Sequence, residues 1–154
     1  MFTLLTAIMI QSSSLIALPA DWNFYSNPRY GYTTCYPKIM KVSREADNSD
    51  GRVFKTKDGG ELAVWGENNF NGASLSEYRN SIHRDGEVVA YEAIRPTWFV
   101  RSSTQNSVIS WRKTYKRDGQ FVTLELRYPI QNKKFYDPIV KKLSMCFRIV
   151  QTTY

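Results

Sequence analysis

Apolar and polar residues alternate most clearly between Ser107 and Pro129, SVISWRKTYKRDGQFVTLELRYP. Two runs of period two flank Asp118-Gly119, the dipeptide that best tolerates the positive φ angles of a type I′ turn, and this predicts a β-hairpin. A two-residue loop sets the register. Tyr115 faces Val122, Lys113 faces Leu124, Trp111 faces Leu126 and Ile109 faces Tyr128, an apolar face with Lys113 as the exception. On the other face Thr114 meets Thr123 and Arg112 meets Glu125, both favourable cross-strand pairs.

Upstream, Tyr30, Tyr32, Thr34 and Tyr36 alternate with Gly31, Thr33 and Cys35, predicting a strand introduced by an Asn27-Pro28 turn and stopped at Pro37. Trp22 and Tyr25, just before it, suit a lid over one end of the core. Lys38 to Asp50 is polar and irregular and reads as a loop. Arg52 to Thr56 and Glu61 to Gly66 form a second hairpin about Asp58-Gly59-Gly60. Ser74 and Glu77 have the spacing of a capping box, and Leu75, Tyr78 and Ile82 form the stripe of a helix ending near Asp85-Gly86. Val88 to Ile94 and Trp98 to Ser103 read as strands broken at Pro96. Ile139, Val140, Leu143 and Phe147 give a second helix within Asn132 to Val150, with Pro138 in its first turn and Asp137 as N-cap. Two helices that each bury a stripe against a mostly antiparallel sheet define an α+β sandwich.

The first 20 of 154 residues contain no charged side chain and are mostly apolar, with Gln11 and Ser12 to Ser14 as interruptions. They fit a secretory signal ending at Ala20 better than a membrane span. The expected organisation is a signal peptide over 1–20 and one domain over 21–154, exported to the periplasm or beyond the cell. The whole net charge of +7 then falls on the mature domain. Such a surplus favours anionic partners: a protein with an acidic surface, or an anionic envelope polymer or lipid. Its basic residues occur as doublets such as Arg112-Lys113 and Lys141-Lys142, with no basic tract, so nothing points to nucleic acid. Cys35 and Cys146 are the only cysteines. In an oxidising compartment an even pair suggests a disulfide, here between the first predicted strand and the last helix; two separate buried thiols are the alternative.

The segments Trp22 to Tyr32 (WNFYSNPRYGY), Asp50 to Phe54 (DGRVF), Leu62 to Gly66 (LAVWG) and Tyr136 to Val140 (YDPIV) resemble a group of small exported bacterial proteins of uncharacterised function. The order of elements resembles the PsbP-like sandwich, a scaffold of non-catalytic accessory and adaptor proteins. The resemblance implies the fold and export and transfers no active site. Group members carry an ordinary strand residue where this chain has Cys35.

Residue chemistry adds little. His83 is the only histidine, at the end of the first helix; a triad with Ser81 or Ser110 lacks any nucleophile signature. The Asp-Gly pairs are turn formers. No cofactor fingerprint and no spacing of metal ligands is present, so catalytic, cofactor and metal sites are all expected to be none. The expected function is a non-catalytic binding module, acting as accessory, adaptor or immunity-type protein. An envelope protein that binds polymer or lipid, and an enzyme of unrecognised type with His83 as its base, are the alternatives. The outer face of the long hairpin, with Arg112, Lys116 and Arg127 around an exposed Phe121, is the expected binding surface.

Overall fold

A computed structural model describes residues 21–43 and 47–150; the segment 1–20, read above as a signal peptide, lies outside them. Among the described residues ten strands and two α-helices form in chain order. β1 (Trp22–Asn27), β2 (Tyr32–Pro37), β3 (Lys41–Val42), β4 (Gly51–Lys55) and β5 (Glu61–Asn68) precede α1 (Leu75–Ser81). After it come β6 (Val88–Ile94), β7 (Trp98–Gln105), β8 (Val108–Arg117), β9 (Gln120–Pro129), α2 (Lys133–Cys146) and β10 (Arg148–Ile149). A seven-stranded antiparallel sheet has the order β3-β4-β5-β9-β8-β7-β6, and a small sheet has the order β1-β2-β10. The chain is thus α+β, as its alternation predicts.

The long hairpin is β8–β9, and every predicted pair is met, from Ile109 opposite Tyr128 to Tyr115 opposite Val122. Asp118 and Gly119 both take positive φ, 48° and 72°, as the turn requires. Its apolar face, with Trp111, Leu124 and Leu126, joins the main core. There Tyr32 and Cys35 of the small sheet, Tyr136, Ile139 and Leu143 of α2, and Phe147 just after it cover it. Lys113, the exception on this face, runs its ammonium across the rings of Trp98 and Tyr115 and donates to the Ser144 carbonyl, at 3.4 Å. A long aliphatic stem makes that placement tolerable.

The elements depart from the sequence reading in four places. The segment before Pro28 is itself a strand, β1, paired with β2 through Phe24 opposite Cys35. Its Asn27 is buried, which disguises the alternation; the side chain is satisfied by the Tyr30 amide and the Ser49 carbonyl. A short β3 lies within the predicted loop. The capping box of α1 forms, with Glu77 N–H donating to Ser74 Oγ and Ser74 N–H to Glu77 Oε2, but the helix stops at Ser81. Finally, α2 begins at Lys133, so Pro138 lies inside it and Asp137 is no N-cap. The missing amide forfeits a single bond to the carbonyl of Lys134, an exposed residue near the helix start, where water can replace it. The chain leaves α2 at Phe147 to pair β10 with β2.

Cys35 and Cys146 are disulfide-bonded, with Cα atoms 5.8 Å apart. The bond ties β2 to the last turn of α2 and closes 111 residues of chain.

An arginine-lined sheet face as the candidate functional site

The second face of the large sheet is covered differently. α1 spans only seven residues, and its Leu75 packs with Phe99 and Phe121 in a small second core. Tyr78 stacks on Phe121 with ring centroids 4.0 Å apart. Beyond α1 the cover is polar. Residues 82–87 cross β7, β8 and β9, above a charged row that runs over four strands: Glu92, Arg101, Arg112, Glu125. Strand alternation puts them on one face, and the buried positions Phe99, Arg101 and Ser103 of β7 mark it.

Glu125 is the centre of the row. Its side chain accepts from Ser110 Oγ at 2.6 Å, Arg84 Nη2 at 2.9 Å and Arg112 Nη2 at 3.1 Å. Burial pushes its carboxyl upward, but Arg112, Ser110 and Arg84 outweigh burial and hold the group below the usual carboxylate range. Glu87 is a second centre. It accepts from the Ser103 hydroxyl and the Arg84 amide, meets His83 Nδ1 at 3.1 Å and lies 3.6 Å from Arg101 Nη1. Burial again opposes ionisation, and Ser103 with the Arg84 amide and Arg101 again prevails, so this carboxyl is also lowered. Glu92 bridges Arg101 and Arg79, at 2.7 and 2.9 Å. Arg101 Nη1 is buried without a hydrogen bond, and among the described residues Glu87 is the carboxylate paired with that nitrogen, while Glu92 holds Nε.

The expected binding residues do not share an exposed surface. Phe121 is only 2 % exposed, because α1 covers it. Arg112 is buried against Glu125, and Lys116 is half-buried with its ammonium donating to the Ala73 carbonyl at 2.8 Å. Arg127 alone is exposed. An aromatic among arginines does exist on this face, and it is Trp65. The half-buried indole sits 5.5 Å from the Arg112 guanidinium, within cation–π range. Arg84 and Arg127 lie at the mouth of the crevice that Ser103, Ser110 and Glu87 line. Four arginines (84, 101, 112 and 127) face two glutamates there. The signal in the sequence was the β7 alternation, which sets Arg101 beside Arg112; two arginines directly opposed require acids on either side.

The Ser103 and Ser110 hydroxyls on this face donate to carboxylates, and those of Thr114 and Thr123 bond to each other. His83 meets Glu87, whereas Ser110 donates to Glu125 and Ser81 to the Tyr78 carbonyl, so the imidazole contacts neither serine of the sequence-level triad. Among the described residues no group of acids, histidines and cysteines has the arrangement of a metal site.

An α+β sandwich with these layers is a PsbP-like fold. The chain is similar to the solution structure of cyanobacterial PsbP (CyanoP) from Synechocystis sp. PCC 6803, with a TM-score of 0.62 and 15 % identity over 84 % of this chain and 93 % of that one. A crystal structure from Bacteroides thetaiotaomicron VPI-5482 aligns with a TM-score of 0.54 and 10 % identity, over 84 % of this chain and 48 % of that one. A Pseudomonas aeruginosa protein of unknown function aligns at 0.50 and 8 % identity, over 74 % and 99 % respectively. No family model and no curated protein matches the chain. At such identities the likeness is one of fold.

Proposed function

We propose that the chain is a non-catalytic exported binding module, acting as accessory, adaptor or immunity-type protein towards a protein partner with an acidic surface. The observation that carries this reading is the sheet face just described. A half-buried tryptophan and arginines at a crevice mouth are the residue types that concentrate binding energy at interfaces. The disulfide supports an oxidising compartment, and the uncharged first 20 residues support export. Among the described residues no helix is long and apolar enough to cross a membrane.

The test is capture from the cognate envelope fraction, followed by affinity measurement on the captured protein. Trp65→Ala and Arg127→Glu, each folded by circular dichroism, should weaken binding by about 2 kcal/mol or more if the residue is a hot spot. Unchanged affinity in both variants places the partner elsewhere. Arg112→Glu is unsuitable as a test, since it would bury a second carboxylate against Glu125.

A second reading rests on a separate feature. A largely apolar groove of about 510 Å³ is lined by Ile39 and Phe135 with Lys41, Lys55 and Lys57, and also by Asp58; the Lys55 ammonium pairs with Glu61 at 3.0 Å. That composition suits an anionic envelope polymer or lipid. Binding through it should collapse in high salt, whereas a packed protein interface should persist.

A further inference from the structure

The geometry points to a membrane-docking face, centred on the apolar groove of Ile39 and Phe135, that takes an anionic phospholipid bilayer. It rests on the second reading above and names the ligand of that groove. The lysines concerned are scattered along the sequence, and the fold gathers them. α2 buries Tyr136, Ile139 and Leu143, which turns Lys134, Lys141 and Lys142 to solvent. Lys134 and Lys141 lie seven residues apart on one side of the helix, as do Phe135 and Lys142. Phe135 forms one wall of the groove; Lys41 of β3, Lys55 of β4 and Lys57 just beyond it line the other. The groove therefore lies between two sets of lysines.

The acids of this surface do not cancel them. Glu61 is taken by Lys55 at 3.0 Å, and Asp137 by Lys133 at 2.7 Å. Asp58, on the groove wall, already accepts at both oxygens from donors of the fold, the Tyr136 hydroxyl at 2.7 Å and Asn132 Nδ2 at 3.0 Å. Among the described residues no ion pair engages Lys41, Lys57, Lys134, Lys141 or Lys142, and all five are exposed. Near an anionic bilayer each such lysine strengthens binding about fivefold.

Two observations favour a bilayer over a soluble polyanion. The centre of the surface is apolar, with Ile39 45 % exposed. A chain of sugars and phosphates offers nothing apolar to fill it, whereas a lipid offers its acyl chains. The groove also lies where the uncharged segment 1–20 joins the domain. The Asp21 carbonyl accepts from the Lys38 amide at 3.1 Å, and the Asp21 carboxylate meets the Lys38 ammonium at 3.6 Å, one residue before Ile39. A signal segment held in the bilayer during export therefore delivers this face to the headgroups.

Cosedimentation of the mature protein with phosphatidylcholine vesicles, prepared with and without phosphatidylglycerol, tests this. Binding is expected to the anionic vesicles only and should fall steeply with added salt. Lys57→Glu with Lys142→Glu, both at exposed and unpaired positions, should weaken it at least about tenfold. Ile39→Ser changes no charge and should weaken it about fivefold. Circular dichroism reports folding of each variant. Wild-type binding by folded Ile39→Ser removes the groove from the site and overturns the proposal. Polyphosphate in solution is the second probe. A protein that binds it through the same two lysines, yet binds no vesicle, overturns the bilayer and leaves the anionic-polymer reading standing; a protein that binds neither overturns both.

Discussion

Replacing Glu125 with alanine removes the acceptor on which Ser110, Arg84 and Arg112 converge. The consequences differ for the two arginines. Arg84 is 35 % exposed in its side chain and can turn to water, whereas Arg112, at 10 %, cannot. Leaving one partner of a buried pair uncompensated costs about 3–5 kcal/mol. The Trp65 ring still faces the Arg112 guanidinium and Arg84 is released to solvent, so the lower end, about 3 kcal/mol, applies. Against a total stability of about 5–15 kcal/mol this is a large loss. Urea unfolding followed by tryptophan fluorescence measures it. Changing Arg112 to Met and Glu125 to Leu together should recover most of the loss, because hydrophobic replacements need no counter-charge. Acidity supplies an independent check. The Glu87 and Glu125 carboxyls are lowered in the fold, so the native state keeps them ionised where the unfolded chain takes up protons. Their contribution is complete above the unfolded carboxylate range, at about pH 4.3, and is lost as pH falls through the folded values. Glu125→Ala should therefore flatten the fall in stability between about pH 5 and pH 3. A loss under about 1 kcal/mol with an unchanged acid slope would refute the central place given to Glu125.

Reduction of Cys35–Cys146 opens a loop of 111 residues and should cost about 5 kcal/mol in the chain-entropy model, seen as a lower denaturant midpoint in dithiothreitol; an unchanged midpoint with both thiols alkylated would refute it. Gly66→Ala should cost about 1–3 kcal/mol by urea unfolding, because a Cβ there would lie 2.1 Å from Cγ of the buried Tyr30. Tyr136→Phe removes the hydroxyl that donates to Asp58 Oδ1 at 2.7 Å and contacts Thr56 Oγ1 at 2.9 Å. A loss of about 1 kcal/mol is expected by the same method, since Asp58 is exposed and water replaces part of the interaction.

What could be read from the sequence was whatever local chemistry decides. The Asp118-Gly119 turn admits one register, and the Ser74–Glu77 capping box needs only four consecutive residues, so both formed as expected. The proline in α2 was misplaced because a local rule forbids it, whereas the cost depends on its distance from the helix start and on exposure. β1 was hidden because its Asn27 is buried, which the Tyr30 amide and the distant Ser49 carbonyl make tolerable. The candidate site failed for a similar reason. Alternation placed Phe121 and Arg112 correctly on the outer face of the hairpin, but it could not say that α1 returns across that face. Whether an outward strand residue is exposed depends on a helix some forty residues away in the chain.

The short cover over that face also explains where positive charge is left for a partner. A helix of seven residues can shield Phe99 and Phe121 but not the rest of a seven-stranded sheet. Beyond its reach, apolar side chains would stand in water, and the sequence instead carries Glu92, Arg101, Arg112 and Glu125 in a row whose charges cancel. Residues 82–87 close over the row and turn Arg84 and Glu87 towards it, with Asp85 exposed. The next row is not balanced in this way. Ser103, Ser110 and Arg127 follow one another, and Glu61, opposite Arg127, is already bound to Lys55 at 3.0 Å. Among the described residues Arg127 is thus the arginine of this face with no ion pair. A partner's carboxylate would meet it at the crevice mouth without first having to displace an internal ion pair, which is why the proposed site is centred there and not on the stronger, buried charges behind it.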